Sequence, residues 1–272
     1  MCILITFAIH LKKMPLFKKN IFDQYIFVKK LIIRLFGSMI YFRFNWVHKP
    51  KVTGAETFIH LPDKNVLIVS NHQTYFADVA FFLHVIHSAL SNHPNNIRYP
   101  GFLRCKKHNV YYVAAEETMK SGLLPKILGL SGAVTVNRTW RANGENVRRK
   151  VNRAETDNID KALKDGWVIT FPQGTTKAYS KGRIGTAILV KKHQPIVIPV
   201  VIDGFRRAFD KRGFKNKKKK SELKMRVKQP LDIDYDLPAE EIMKLIMNGI
   251  EQTPEFNFIE NLKNKTAEST EN

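Results

Sequence analysis

Short apolar runs alternate with helical patterns along the middle of the chain. Asn65–Val69, Val110–Ala115, Ala133–Val136, Trp167–Phe171 and Ile196–Ile202 each read as a buried strand, the last interrupted by Pro199. Residues 50–58 add a short strand and turn. Helical spacing covers 24–43, 79–90, 123–130, 141–166, 184–192 and 238–249, with Gly166 as a helix stop. Residues 210–230 read as a basic loop or ribbon, and the polar tail 261–272 as disordered. The alternation predicts an α/β fold: a single domain with a mostly buried central sheet flanked by helices. It divides into an N-terminal segment (1–49), a main α/β domain (50–210) and a basic loop with a C-terminal helix that completes it (211–260).

The helix at 24–43 has a second reading. Lys29, Lys30, Arg34, Gly37 and Ser38 recur at three- and four-residue spacing on one face, and Tyr25, Ile26, Phe27, Leu31, Ile32, Leu35, Phe36, Met39 and Phe42 cover the rest. Such a helix either packs on the domain core with a solvated lysine stripe or lies in a membrane interface. The density of aromatics and cations favours the second. No uncharged apolar run beyond residue 13 approaches the ~20 residues of a spanning helix. Residues 1–11 are apolar but precede Lys12–Lys13, the reverse of a secretion signal, and Met14 is an alternative start.

Charge sharpens this picture. The 272 residues carry a formal charge of +21, concentrated in two places. Residues 1–51 hold ten Lys/Arg and one acid; residues 211–229 hold ten and one. With these set aside, the 45 basic and 24 acidic residues fall to 25 and 22, so the body is nearly neutral. Two basic patches predict an anionic surface as partner, a membrane or nucleic acid. No helix-turn-helix, zinc finger or RNA-binding motif is present, so no nucleic-acid partner is expected. Cys2 and Cys105 make neither a disulfide framework nor a zinc site, which fits a reducing compartment. His84, His87 and His93 lack a carboxylate or cysteine to complete a metal set, so no metal is expected.

Four predicted strand ends carry polar or glycine-rich turns: Asn71–Asp78, Gly132–Arg138, Phe171–Thr175 and Ile198–Gly204. Loops at strand ends are where α/β domains build their sites. In the first, His72 and Asp78 can act as a general base and the carboxylate that orients it and balances its charge. No Gly-x-Ser-x-Gly elbow appears.

In this order, the four turns resemble the sequence blocks of the glycerolipid acyltransferase family, typified by 1-acylglycerol-3-phosphate acyltransferases. Asn71, His72 and Asp78 match its Asn-His-x4-Asp block; Gly132 to Arg138 match Gly-x5-Arg. Phe171, Pro172, Gly174 and Thr175 match Phe-Pro-Glu-Gly-Thr-Arg, and Val197-Ile198-Pro199-Val200 match an apolar run with a central proline. The resemblance implies an O-acyltransferase. His72 would deprotonate a lyso-lipid hydroxyl, which attacks the thioester of acyl-CoA or acyl carrier protein, without a covalent enzyme intermediate. Asn71, Gly132, Arg138, Pro172, Gln173, Gly174, Thr175, Thr176 and Lys177 would form the substrate-binding set. Arg138 would hold the acceptor's anionic headgroup, while Gly174 and Thr175 would offer backbone N–H groups. Beyond these substrates no cofactor is implied. The expected location is the cytoplasmic face of the cell membrane, peripheral or monotopic.

Three departures stand out. Five residues rather than four separate His72 from Asp78, a spacing that pairs them only if the segment bends. Gln173 replaces the block's Glu, and Thr176 its Arg, with Lys177 adjacent as a point charge. The resemblance makes lysophosphatidate the favoured acceptor; the last two changes count against it and make another lyso-lipid such as an amino-acyl lipid the alternative, and a non-catalytic lipid-binding relative is the second.

Overall fold

The structure, a computed structural model, describes residues 18–136, 141–142, 145–146 and 153–257. The segment 1–17, which holds the Met14 question, and the tail 261–272 lie outside the described residues.

Strand β2 (Val66–Ser70) is apolar to its last residue and wholly buried, because helices cover both faces of the sheet it centres. It lies parallel to β7 (Trp167–Thr170) and β8 (Ile196–Asp203). On the β7 side follow β3 (Val110–Ala115) and β4 (Ala133–Val136), also parallel. On the β8 side β9 (Glu222–Val227) runs antiparallel, and β1 (Lys49–Thr53) pairs with β9 at the edge. Among the described residues this is one seven-stranded mixed sheet, ordered β1-β9-β8-β2-β7-β3-β4. The mixed α/β architecture matches the expected class.

Alternation along β2 separates two cores. Val66 and Ile68 face a cluster with Phe44, Phe81, Phe82, Phe102 and Phe205. Helices α1 (Ile26–Phe42) and α2 (Ala77–Ala89) lie on that side. Leu67 and Val69 face the other cluster. It is supplied by α5 (Arg153–Asp165), α6 (Ile184–His193) and α8 (Ala239–Gly249). Short helices α3 (Glu116–Lys120) and α4 (Leu123–Gly129) link β3 to β4, and α7 (Phe205–Ala208) follows β8.

Three sequence expectations need correction. The helix placed at 141–166 begins only at Arg153. Before it, β5 (Arg141–Ala142) and β6 (Glu145–Asn146) form an antiparallel pair, and Asn143-Gly144 between them is a strong hairpin signal. The basic stretch 210–230 is not all loop, since Leu223, Met225 and Val227 point inward from β9 while Glu222 and Arg226 point out.

The third correction concerns α1, whose expected solvent face is in part its inner one. Lys29 is 1% exposed, and Gly37 lies so close to Phe102 that a methyl group there would meet the ring at 2.5 Å. The outer face carries Phe27, Leu31, Leu35, Met39 and Phe42, continued by Trp46, which is 78% exposed. Lys29 donates to the Val110 carbonyl at 2.8 Å and sits 4.3 Å from the Tyr111 ring centre. Among the described residues no carboxylate is bonded to it, and burial lowers its pKa to about 7, against smaller raising effects of Cys105 and Asp165.

Candidate active site

Past the end of β2 the chain turns away before entering α2, and side-chain hydrogen bonds fix that turn. The Asn71 amide extends the β2–β8 ladder: its Nδ2 donates to the Ile202 carbonyl at 2.9 Å and its Oδ1 accepts the Ile202 N–H at 2.8 Å. Gln73 Nε2 donates to the same carbonyl at 3.2 Å. His72 lies between these two anchors.

The bend that the longer spacing requires is supplied by residues 71–76, and it closes the pair. His72 Nδ1 lies 2.9 Å from Asp78 Oδ2. Asp78 is fully buried in the first turn of α2, and every group around its carboxylate is a donor. Oδ2 accepts the N–H groups of Gln73 at 2.6 Å and Thr74 at 3.0 Å, and Oδ1 accepts the Thr74 hydroxyl at 2.7 Å. A donor-only environment of this kind is complementary to a carboxylate, whose oxygens accept. The carboxylate in turn keeps the proton on Nδ1 and the lone pair on Nε2, which makes Nε2 the basic atom of the pair. Phe171 stacks on the imidazole at 4.0 Å between ring centres, fixing the ring plane.

The loop 210–216 buttresses this turn. The carbonyls of Lys211 and Arg212 accept the N–H groups of Tyr75 and Phe76, each at 3.0 Å. Phe214 stacks on Phe76 at 4.8 Å. Asp210 Oδ1 ties the loop together by accepting the N–H groups of Gly213, Phe214 and Lys215.

The loop after β7 reaches the pair through Phe171, but its residues take different positions from those expected. Pro172 and Gln173 are buried; Gln173 Nε2 donates to the Ser180 carbonyl at 2.9 Å and to Gln252 Oε1 at 3.2 Å. The neutral side chain is therefore a structural tie between this loop and the chain after α8. Gly174 takes φ +62° in a turn, and its N–H donates to the Phe171 carbonyl at 2.9 Å, so that donor is not available to a substrate. Thr175 and Thr176 are half-buried and Lys177 is exposed beside them. Asn71, with both ends of its amide bonded to Ile202, likewise holds the loop rather than facing a ligand.

Gly132 is not brought to His72. The register pairs Ala133 with Tyr112, so Gly132 lies before β4, at the opposite end from the strand's carboxyl edge. Its φ is +126°, and a Cβ would stand 2.7 Å from the Val110 carbonyl oxygen and 2.8 Å from Lys29 Nζ. The glycine is there to admit the buried lysine. Arg138 lies outside the described residues.

One basic residue escaped the sequence reading. Arg206, in α7, donates its backbone N–H to Gln73 Oε1 at 3.1 Å, and its guanidinium donates to the Thr176 carbonyl. It stands between the His72 turn and the loop in which Thr176 replaces an arginine. Its position at the end of the fourth apolar run was the available signal. Among the described residues no cluster of three His, Cys, Asp or Glu side chains gathers as a metal-ligand set, and no helix is long and apolar enough to cross a membrane.

A half-buried His72 paired with a fully buried Asp78 thus stands at the carboxyl edge of a mixed α/β sheet, beside a Phe-Pro turn, an arrangement suited to taking a proton from a hydroxyl. The comparison with protein families agrees: the model described as Acyltransferase matches residues 49–203, and the chain belongs to that family. Among solved structures, it is similar to the 1-acyl-sn-glycerophosphate (LPA) acyltransferase PlsC from Thermotoga maritima. The identity is 17% and the TM-score 0.48, over 83% of this chain and 79% of that one. No curated protein matches.

Proposed function

We propose that this acyltransferase works at a membrane surface and moves a fatty acyl group from acyl-CoA or acyl carrier protein to the hydroxyl of a lyso-lipid, with 1-acyl-sn-glycerol-3-phosphate as the favoured acceptor. The observation that carries the reading is the 2.9 Å contact between His72 Nδ1 and a fully buried, donor-surrounded Asp78. His72 Nε2 takes the proton of the lyso-lipid hydroxyl as its oxygen attacks the thioester carbonyl. Asp78 stabilises the imidazolium that forms. The tetrahedral intermediate collapses with expulsion of the thiolate, which takes up the proton from His72, leaving ester and thiol.

Two features support the acceptor and the setting. Arg206 and Lys177 bring positive charge beside Thr176, where an acceptor phosphate needs a partner. The outward stripe Phe27, Leu31, Leu35, Met39, Phe42 and Trp46, on a chain of +21, suits insertion into an anionic interface. The experiment is acyl transfer from labelled acyl-CoA to a panel of lysophosphatidate, neutral lyso-lipids and amino-acyl lyso-lipids on anionic vesicles. Label in phosphatidate supports the proposal. Label only in another lipid replaces the acceptor, and no transfer to any of them favours a non-catalytic lipid-binding role.

A further inference from the structure

At the edge of the sheet a polar cleft of about 450 Å³ opens between β1, the π-helical turn Arg43–Val47 that continues α1, and the segment 95–98 after α2. In the sheet order β1 lies three strands from β2, ~14 Å across, so the cleft stands apart from the His72 turn. Lys49, Arg98 and Lys220 line it together with Asn96 and Trp46, and all five are exposed. Among the described residues no carboxylate lines it.

Main-chain ties hold its walls. The Tyr41 hydroxyl donates to the Arg98 carbonyl at 2.6 Å, and the Asn45 amide to the Ile97 carbonyl at 3.3 Å. The N–H groups of Lys220 and Lys49 donate to the carbonyls of Val47 and Ser221 at 2.7 and 2.9 Å. These bonds fix where each cation leaves the backbone. The neighbouring carboxylates are engaged elsewhere: Glu222, the register partner of Lys49, pairs with Lys224 at 3.0 Å, and Glu56 accepts from Asn95 at 2.8 Å. Asn96 Oδ1 accepts the Arg98 N–H at 3.1 Å, which leaves its amide N–H groups to donate. Three cations without a counter-charge, around a cleft of this size, suit a phosphate-bearing group.

The rim indicates what carries the phosphate. Trp46 and Phe42, 6.1 Å apart between ring centres, end the apolar stripe on the outer face of α1. A lipid with its phosphate in the cleft lays its chains along that stripe and covers both rings, whereas a free phosphate leaves them in water. We propose that the cleft binds the headgroup of an anionic phospholipid, as a second lipid site apart from the one at His72. Arg98 and Lys220 hold the phosphate, Asn96 donates to the headgroup oxygens, and Trp46 seats the chains at the interface. This site depends on the membrane setting proposed above and not on acyl transfer.

The test is calorimetric titration of the full-length protein with dihexanoylphosphatidylglycerol below its micelle concentration. Arg98→Gln/Lys220→Gln is expected to weaken binding at least ~tenfold, through the loss of two charge-assisted contacts. Lys218→Gln/Lys219→Gln removes the same charge from the exposed loop beside the cleft and is expected to change binding less than ~twofold at physiological ionic strength. Equal losses in the two variants, no loss in either, or no binding by the wild type overturns the proposal. The wild-type protein also decides it without a variant. Glycerol phosphate, inorganic phosphate and coenzyme A carry phosphate but no chain, and are expected to bind at least ~tenfold more weakly. One that binds as tightly as the lipid marks a free-phosphate or nucleotide site and overturns the lipid assignment. Transfer to a soluble lyso-lipid is expected to be unchanged in Arg98→Gln/Lys220→Gln; a matching loss there would make the cleft part of the acceptor site and overturn its separate role. A wild type that transfers nothing counts against the acyltransferase reading alone, because the titration needs no acyl donor.

Discussion

Replacing Asp78 by asparagine removes a charge while leaving most of the geometry available. The remaining oxygen can stay at the Oδ2 position and accept from His72, Gln73 and Thr74, and the Thr74 hydroxyl can turn to accept from the new amide. The variant loses the attraction between carboxylate and imidazolium in the transition state. With the two charge centres about 4 Å apart and an effective dielectric constant of about 20, that attraction is ~4 kcal/mol. At ~1.4 kcal/mol per factor of ten, kcat should fall by ~10³. The assay is steady-state acyl transfer on vesicles, with thermal unfolding in parallel to show that the buried turn survives. A loss smaller than tenfold in a folded variant would mean that no imidazolium forms in the rate-limiting step, and the base assignment would fail.

Three further outcomes follow from the same contacts. Gly132→Ala should lower stability by ~2–3 kcal/mol, seen as a lower Tm, because it combines a left-handed φ with a collision at the Val110 carbonyl and Lys29 Nζ; an unchanged Tm would contradict this packing. Lys29 has a pKa of 10.5 when unfolded and about 7 when folded, so the unfolded chain binds more protons between those values. Stability should therefore rise with pH across that window by up to a few kcal/mol. Lys29→Met should flatten that rise in chemical denaturation, and an unchanged pH slope would show that Lys29 does not titrate there. Leu35→Asp, at a 62% exposed position, should weaken binding to anionic vesicles at least tenfold in co-sedimentation without lowering Tm; undiminished binding would place the membrane contact elsewhere.

The strands that position the site were legible because both faces of the sheet are covered, which makes Val66–Val69 and Ile196–Ile202 apolar throughout, apart from Pro199 in the second. Strand β9 was hidden by its own charge: Glu222, Lys224 and Arg226 fill the outward positions of a period-two pattern, and a charge count averages over that period. The inverted face of α1 was concealed for a related reason. A lysine reads as solvent-facing, and only a backbone carbonyl 81 residues away and a glycine without a Cβ make room for Lys29. In the site, His72 and Asp78 were visible as residue types at a strand end, although their pairing depends on a bend no helical spacing describes. The roles of Asn71 and Gln173 were not visible, because a polar side chain that bonds a distant backbone looks in sequence like one that awaits a ligand. Arg206 enters through tertiary proximity to Gln73 and Thr176, and sequence blocks record no such neighbour.

The most direct test of the account is transfer of a radiolabelled acyl group by wild type and His72→Ala on the same vesicles, with the protein band counted after denaturation. The account predicts label in lipid for the wild type, a loss of at least ~10³ in the variant, and no label bound to protein in either. Transfer that survives His72→Ala, or label covalently retained on the wild-type protein, would contradict a His72-based direct transfer.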